Sequence, residues 1–131
     1  MFSHVTVGTN QGAQARAFYI KVLGELGIQL AHDLEEFGWY GFTLPGQDNP
    51  GLWVGKPANG EAATYANGGT IAFDAGSRAQ VDAFYTAAIG LGGKDEGGPG
   101  LRPHYHEHYY ACYVRDLDGN KLCCVCHRPT A

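Results

Sequence analysis

Apolar residues alternate with more polar ones in two short segments, and each segment is followed by apolar residues at helical spacing. The alternation predicts a strand over residues 2–8, and the spacing predicts a helix over residues 11–26. The same order recurs as a strand over residues 70–75 and a helix over residues 77–91. We expect one face of each strand and one face of each helix to form the core.

Shorter extended segments follow each predicted helix. Asn10 and Ser77 are predicted N-caps, and Gly27 and Gly92 are predicted helix stops. The extended segments cover residues 28–34, 37–44 and 52–55 after the first helix, and residues 94–96, 109–115 and 122–127 after the second. The predicted order is therefore β-α-β-β-β, written twice.

Direct comparison of the two halves of the sequence also indicates a repeat. A shift of 66 residues places Ala17-Phe18-Tyr19 on Ala83-Phe84-Tyr85, and a shift of 70 residues places Tyr40 on Tyr110 and Leu52-Trp53 on Leu122-Cys123. Two copies of one module are the simplest explanation.

Composition limits the class of protein. The 131 residues are 44% hydrophobic and 17% charged, which is typical of one globular domain over residues 1–131. Nine basic and thirteen acidic residues give a net charge of −4 with no basic cluster, so we expect no nucleic-acid partner. No apolar run has the length of a membrane span and no signal peptide is visible, so we expect a cytoplasmic protein without membrane contact.

Three of the four cysteines lie within one predicted terminal strand. Cys123 and Cys126 form a C-x-x-C pattern, but residues three apart in a strand point to opposite faces. We therefore expect reduced thiols rather than a disulfide framework or a shared metal site.

Two runs of residues resemble the vicinal oxygen chelate superfamily, which contains glyoxalase I, bleomycin-resistance proteins and extradiol dioxygenases. They are His4-Val5-Thr6-Val7, which leads to Ala17-Phe18-Tyr19, and Asp116-Leu117-Asp118-Gly119-Asn120, which is similar to the family's Asp-Pro-Asp-Gly-Asn turn. Pro103-His104-Tyr105-His106 resembles a feature of one bacterial subgroup. The resemblance implies an α+β fold of two tandem β-α-β-β-β modules, about 1–66 and 67–131, whose curled mixed sheets enclose a cleft. It also implies a homodimer.

The resemblance further implies a metal held by the first and last strands of each module. Those positions fall on His4, on or near Trp53, on Thr70 and on Cys123. The family's usual donors are two histidines and one or two glutamates, and only His4 matches them. Because a divalent metal needs at least three good donors, we predict no bound cofactor.

Each of these positions has a second interpretation. His4 is either a metal ligand or a hydrogen-bonded polar strand residue. Cys123 is either a thiolate ligand or a small buried residue. Trp53 either stacks on a ligand or fills the core.

The densest polar cluster is the segment from His104 to Tyr110. If the segment is extended, His104, His106 and His108 project to one side, but the glycine-rich residues 97–100 before it predict a turn and a loop. Three interpretations stay open: an exposed polar loop, a loop that presents His104 or His106 to a ligand, and a metal site. His32 and His127 are predicted to be surface residues outside any cluster.

Two hypotheses about function result. In the first, the protein binds a small organic molecule in an aromatic, histidine-edged cleft, and its reaction is unknown. The residues predicted to bind this ligand are Trp39, Trp53, Thr70, His104, His106 and Tyr109. The alternative is a divergent metal-dependent lyase, isomerase or dioxygenase, in which His4, Cys123 and a loop histidine hold zinc, iron, manganese or nickel.

Overall fold

A computed structural model describes residues 1–47 and 49–129 of the chain. Eight strands and two helices form the fold of these residues, with one 3₁₀ turn at Glu35–Phe37. In chain order the elements are β1 Val5–Gly8, α1 Gly12–Gly24, β2 Gln29–Leu34, β3 Trp39–Thr43, β4 Leu52–Gly55, β5 Ile71–Asp74, α2 Arg78–Gly90, β6 Lys94–Leu101, β7 Tyr110–Arg115 and β8 Lys121–Cys126.

The strands form two four-stranded mixed sheets with the same topology. Sheet A has the order β1-β4-β3-β2, and sheet B has the order β5-β8-β7-β6. In each sheet the first and last strands of the module pair in parallel, with Val5 opposite Leu52 and Ile71 opposite Leu122. These register pairs carry the same offsets as the sequence repeat, which confirms the predicted α+β fold of two tandem modules.

The two modules share one hydrophobic core. Helices α1 and α2 contact each other, and each covers one face of its own sheet. Phe18 of α1 and Phe84 of α2, which the repeat places at equivalent positions, are almost fully buried. Within the described residues, no helix is both long enough and apolar enough to cross a membrane.

The Asp116-to-Asn120 turn joins the second module to the first. One carboxylate oxygen of Asp116 accepts hydrogen bonds from the backbone N–H groups of Asp118 and Asn120, and the other accepts the Tyr19 hydroxyl at 2.5 Å. The Asn120 side-chain amide donates to the carbonyl of Gly8 at 3.0 Å. Burial and the neighbouring carboxylate of Asp116 raise the pKa of Tyr19 well above its ordinary value. The turn that carries the family resemblance is therefore a structural link between the modules.

Two local predictions differ from the structure. The N-cap of α1 is Gln11 rather than Asn10, whose side chain instead hydrogen-bonds the backbone of Ala63. The predicted cap of α2 is confirmed, because Ser77 accepts the N–H of Gln80. The glycine-rich residues 97–100, predicted as a turn, belong to β6, where two register shifts accommodate them.

The four cysteines are free and buried. Cys126 lies in the shared core, whereas Cys123 lies on the opposite side of β8. This confirms the expectation that the C-x-x-C pair points to both faces of its strand.

Candidate functional site

Each sheet has an outer face, which is the face turned away from its helix. In sheet A the residues of β3 and β4 alternate, so that Tyr40 and Val54 point to the core while Trp39 and Trp53 point outward. The two indoles meet edge to face, with ring centroids 6.4 Å apart. His32 of β2 packs against Trp53, with ring centroids 5.7 Å apart and an angle of 33° between the rings. We call His32, Trp39 and Trp53 the tryptophan face.

Two glycines allow the indoles to lie against the sheet. A Cβ atom on Gly55 would overlap the Trp39 ring, and a Cβ on Gly41 would lie 3.0 Å from the Trp53 ring. The indoles therefore occupy space that a side chain would fill in most strands. Both remain partly exposed, so part of each indole is open to a ligand.

The tryptophan face includes a residue that sequence reasoning missed. The sequence predicts His32 to lie outside any cluster, but in the structure its ring packs against Trp53. The missing signal is the β2–β3 pairing, which places His32 opposite Gly41 across the strands. Gly41 of β3 in turn lies opposite Trp53 of β4, so the two pairings together bring His32 to the indole.

The outer face of sheet B carries tyrosines above a buried cysteine. The hydroxyl of Tyr109 lies 2.9 Å from the hydroxyl of Tyr113 and 3.8 Å from the sulfur of Cys123. Cys123 is 1% exposed, and burial raises the pKa of its thiol. Burial likewise raises the pKa values of both tyrosines. At neutral pH the three groups are therefore uncharged.

Two histidines lie beside Tyr109. Nε2 of His106 is 2.8 Å from Nδ1 of His127, and the rings stack with centroids 5.1 Å apart. Nδ1 of His106 accepts the backbone N–H of His108, so a neutral His106 carries its proton on Nε2 and donates to His127. We call His106, Tyr109, Tyr113 and His127 the tyrosine–histidine face. The prediction that His127 belongs to no cluster is wrong, because the end of β8 brings it to the loop.

Arg102 fixes the start of the loop that carries His104 and His106. Its guanidinium donates to the carbonyls of Gly98, Gly100 and Ala111, and its Cζ lies 5.6 Å from the centroid of the Tyr113 ring. Further along the loop, the exposed Tyr105 contacts the rings of His104 and Tyr109. The residues between β6 and β7 thus pack beside the outer face of sheet B.

His4 and Thr70 lie away from both faces. Both are exposed and line an apolar cavity of about 550 Å³ between the start of β1 and the start of β5. Nδ1 of His4 is 2.9 Å from the Ser3 hydroxyl oxygen. Neither Trp53 nor Cys123 lines any of the four principal cavities of the described residues.

These positions do not fit the metal that the family resemblance implies. They offer the imidazole of His4, the indole of Trp53, the hydroxyl of Thr70 and the buried, protonated thiol of Cys123. Indole has no lone pair for a metal, and a thiol must lose its proton to ligate. Across residues 1–47 and 49–129, no three His, Cys, Asp or Glu side chains are grouped as metal ligands.

Comparison with known proteins places this fold in a family. The profile of the Glyoxalase/Bleomycin resistance protein/Dioxygenase superfamily matches residues 1–124. A glyoxalase/bleomycin resistance protein from Albidiferax ferrireducens is 39% identical, with a TM-score of 0.83 over 98% of this chain and 99% of that one. No curated protein sequence gives a significant match.

Two more distant structures share the fold. A glyoxalase-related enzyme from Fulvimarina pelagi is 17% identical, with a TM-score of 0.73 over 96% of this chain and 87% of that one. A lactoylglutathione lyase from Agrobacterium tumefaciens is 21% identical, with a TM-score of 0.65 over 96% of this chain and 92% of that one. Together with the profile and the 39% identical protein, the paired modules show that the chain belongs to the Glyoxalase/Bleomycin resistance protein/Dioxygenase superfamily.

Proposed function

We propose that the protein binds a small organic molecule with a planar ring on its tryptophan face. The observation that carries this proposal is the pair of indoles that lie over Gly41 and Gly55 with their outer surfaces open. Such indoles offer a large, rigid apolar surface on which a planar ring can stack. His32 extends this surface beyond Trp53.

The second part of the proposal concerns the cleft. The helices of both modules pack into one core, and none of the principal cavities of the described residues joins the outer faces of the two sheets. We propose that a homodimer forms two equal clefts, in each of which the tryptophan face of one copy meets the tyrosine–histidine face of the other. A twofold dimer produces such a pair of sites by symmetry.

The polar groups of the proposed cleft suit an uncharged polar substituent on the ligand. Tyr109, Tyr113, His106 and His127 supply hydroxyl and imidazole groups that donate and accept hydrogen bonds. The raised pKa values of the tyrosines keep their hydroxyls protonated at neutral pH. Recognition in this proposal depends on stacking and neutral hydrogen bonds, and it needs no metal at His4, Trp53, Thr70 and Cys123.

Fluorescence tests ligand binding directly, because both tryptophans of the chain lie on the proposed site. The probe is N-phenyl-1-naphthylamine, an uncharged aromatic amine that accepts energy from nearby indoles. We expect saturable energy transfer in the wild-type protein, and about tenfold weaker binding in Trp53→Ala because a stacking surface is lost.

Phe2→Ala is the matched control, since Phe2 is a more exposed aromatic residue on the apolar cavity rather than on the tryptophan face. We expect its affinity to equal that of the wild type, and EDTA to have no effect. Unchanged affinity in Trp53→Ala, or binding abolished by EDTA, would overturn the proposal.

A further inference from the structure

A second cavity lies at the beginning of helix α1, apart from the residues of the tryptophan face. Its volume is about 530 Å³, and it opens between α1, the start of β3 and the segment that follows β4. The lining residues that matter here are Gly12, Ala13, Glu35, Tyr40, Lys56 and Glu61. None of them belongs to the proposed stacking site, so a ligand in this cavity is independent of that site.

The first turn of α1 faces this cavity with free hydrogen-bond donors. Gln11 occupies the N-cap, but its side chain donates to Leu117 and Asp118 instead of accepting from the helix. Among the described residues, no acceptor meets the backbone N–H groups of Gly12, Ala13 and Gln14. The carboxylate of Asp118 accepts hydrogen bonds from Thr9 and Asn10, which precede the helix. It accepts none from these three N–H groups. The positive end of the helix dipole therefore opens into the cavity.

Tyr40 points into the same cavity. The residue is 1% exposed, yet within the described part of the chain its hydroxyl has no hydrogen-bond partner. The hydroxyl lies close to the helix start, since a Cβ atom on Gly12 would be 3.2 Å from it. The equivalent residue of the second module, Tyr110, donates its hydroxyl to Asp82 at 2.7 Å. Tyr40 thus presents an unused donor next to the free N–H groups of α1.

The charged side chains around the cavity limit the charge that a ligand can carry there. Lys56 lies with its side chain over Gly38, and its ammonium group forms no ion pair within residues 1–47 and 49–129. Arg16, one turn into the helix, is already paired with Asp33 at 2.7 Å. Glu35 and Glu61 also line the cavity and repel a second negative charge on any ligand.

We propose that this cavity binds a small carboxylate. Its oxygens accept the N–H groups of Gly12 and Ala13 and the hydroxyl of Tyr40, and Lys56 balances its single charge. The two glutamates make a monoanion a better ligand than a doubly charged phosphate.

The test is a titration of ¹⁵N-labelled protein with sodium acetate, followed by the amide signals of Gly12 and Ala13. Sodium chloride of equal ionic strength and sodium phosphate form two further arms. We expect saturable shifts of both amides with acetate, weaker binding of phosphate, and no saturable shift with chloride. Tyr40→Phe should weaken acetate binding about fivefold, because one hydrogen bond is lost.

Tyr110→Phe is the matched control, because it removes a hydroxyl at the equivalent position of the other module. We expect it to bind acetate like the wild type. The proposal is overturned if acetate produces no saturable shift at Gly12 and Ala13, if chloride produces the same shifts, if phosphate binds more tightly, or if Tyr40→Phe binds acetate as well as Tyr110→Phe does.

Discussion

At the scale of single residues, the site depends on the absence of side chains at Gly41 and Gly55. Both indoles occupy the space above these glycines, and Trp39 lies closer to the backbone of Gly55 than a Cβ atom would allow. Neither glycine needs a left-handed backbone here. Their role is space rather than conformation, which makes them testable by alanine.

Gly55→Ala should displace Trp39 and destabilise the fold by about 1 to 3 kcal/mol, because the added methyl group overpacks the sheet. Urea unfolding measures the loss, and a red shift of tryptophan emission reports the displaced ring. Gly90→Ala is the control, since a Cβ on Gly90 meets no atom within 4 Å. Equal stability of Gly55→Ala and Gly90→Ala would contradict the packing role given to Gly55.

Because the thiol of Cys112 is buried, we expect the protein to lose stability at alkaline pH. Burial raises the pKa of its thiol from 9.0 to about 12. Because the folded-state pKa is raised, the thiol contributes its full stabilisation below pH 9, and that contribution is lost as the pH rises from 9 toward 12. The loss amounts to about 1.4 kcal/mol per pH unit for one thiol.

Urea unfolding under reducing conditions at pH 8, 9, 10 and 10.5 measures this loss. Other buried thiols and tyrosines add to the same trend, so the wild type is compared with Cys112→Ala. We expect a shallower decline in the variant. Parallel declines would show that Cys112 does not control the alkaline stability.

At the scale of elements, the link between the modules depends on a few buried polar groups. Tyr19 of α1 donates to Asp116, while Asp116 also organises the β7–β8 turn. The Asp116-to-Asn120 motif thus has a structural role, because its hydrogen bonds hold the turn and join it to α1. Asp116 is 5% exposed, and neighbouring donors engage both oxygens of its carboxylate.

Tyr19→Phe should lower the free energy of unfolding by about 1.5 to 3 kcal/mol, because a hydrogen bond to a buried carboxylate is lost. Thermal and urea unfolding both measure this effect. Tyr85→Phe, at the equivalent position of α2, is the control because Tyr85 is only partly buried, and it should change stability by less than about 0.5 kcal/mol. Equal effects of the two substitutions would contradict the role given to Tyr19.

The sequence repeat predicts most elements because apolar periodicity reflects the core. It predicts the helices, the order of strands and helix along the chain in each module, and the cap at Ser77. It does not predict the cap of α1, where Thr9 and Asn10 are engaged by Asp118 from the other module. It also does not predict that β6 continues through residues 97–100. Glycine-rich segments are typical of turns, but here the pairing with β7 keeps the segment in a strand.

The candidate site is less visible in the sequence than the fold. Trp39 and Trp53 stand out as aromatic residues, but the roles of His32 and His127 depend on contacts between distant segments. His127 meets His106 across 21 positions of the chain, and His32 meets Trp53 across two strands. Cys123 is visible as a departure from the family's donors, yet only the structure shows that two tyrosines cover it.

At the scale of the whole molecule, the proposed function requires a second copy of the chain. The tryptophan face and the tyrosine–histidine face belong to different sheets, and in the proposed cleft each supplies one half. We expect light scattering to give twice the 14.1 kDa mass of the chain at micromolar concentration. A monomer under these conditions would remove the proposed cleft between copies.

Mixing two binding-deficient variants tests whether each cleft is built from two copies of the chain. Trp53→Ala damages the tryptophan face and Tyr109→Ala damages the tyrosine–histidine face, so each variant alone should show little energy transfer to N-phenyl-1-naphthylamine. When the two chains are unfolded and refolded together, half of the dimers contain one chain of each kind. One of the two clefts in such a dimer is intact, so we expect about a quarter of the wild-type sites to return. A mixture that binds no more probe than the two separate variants would contradict it.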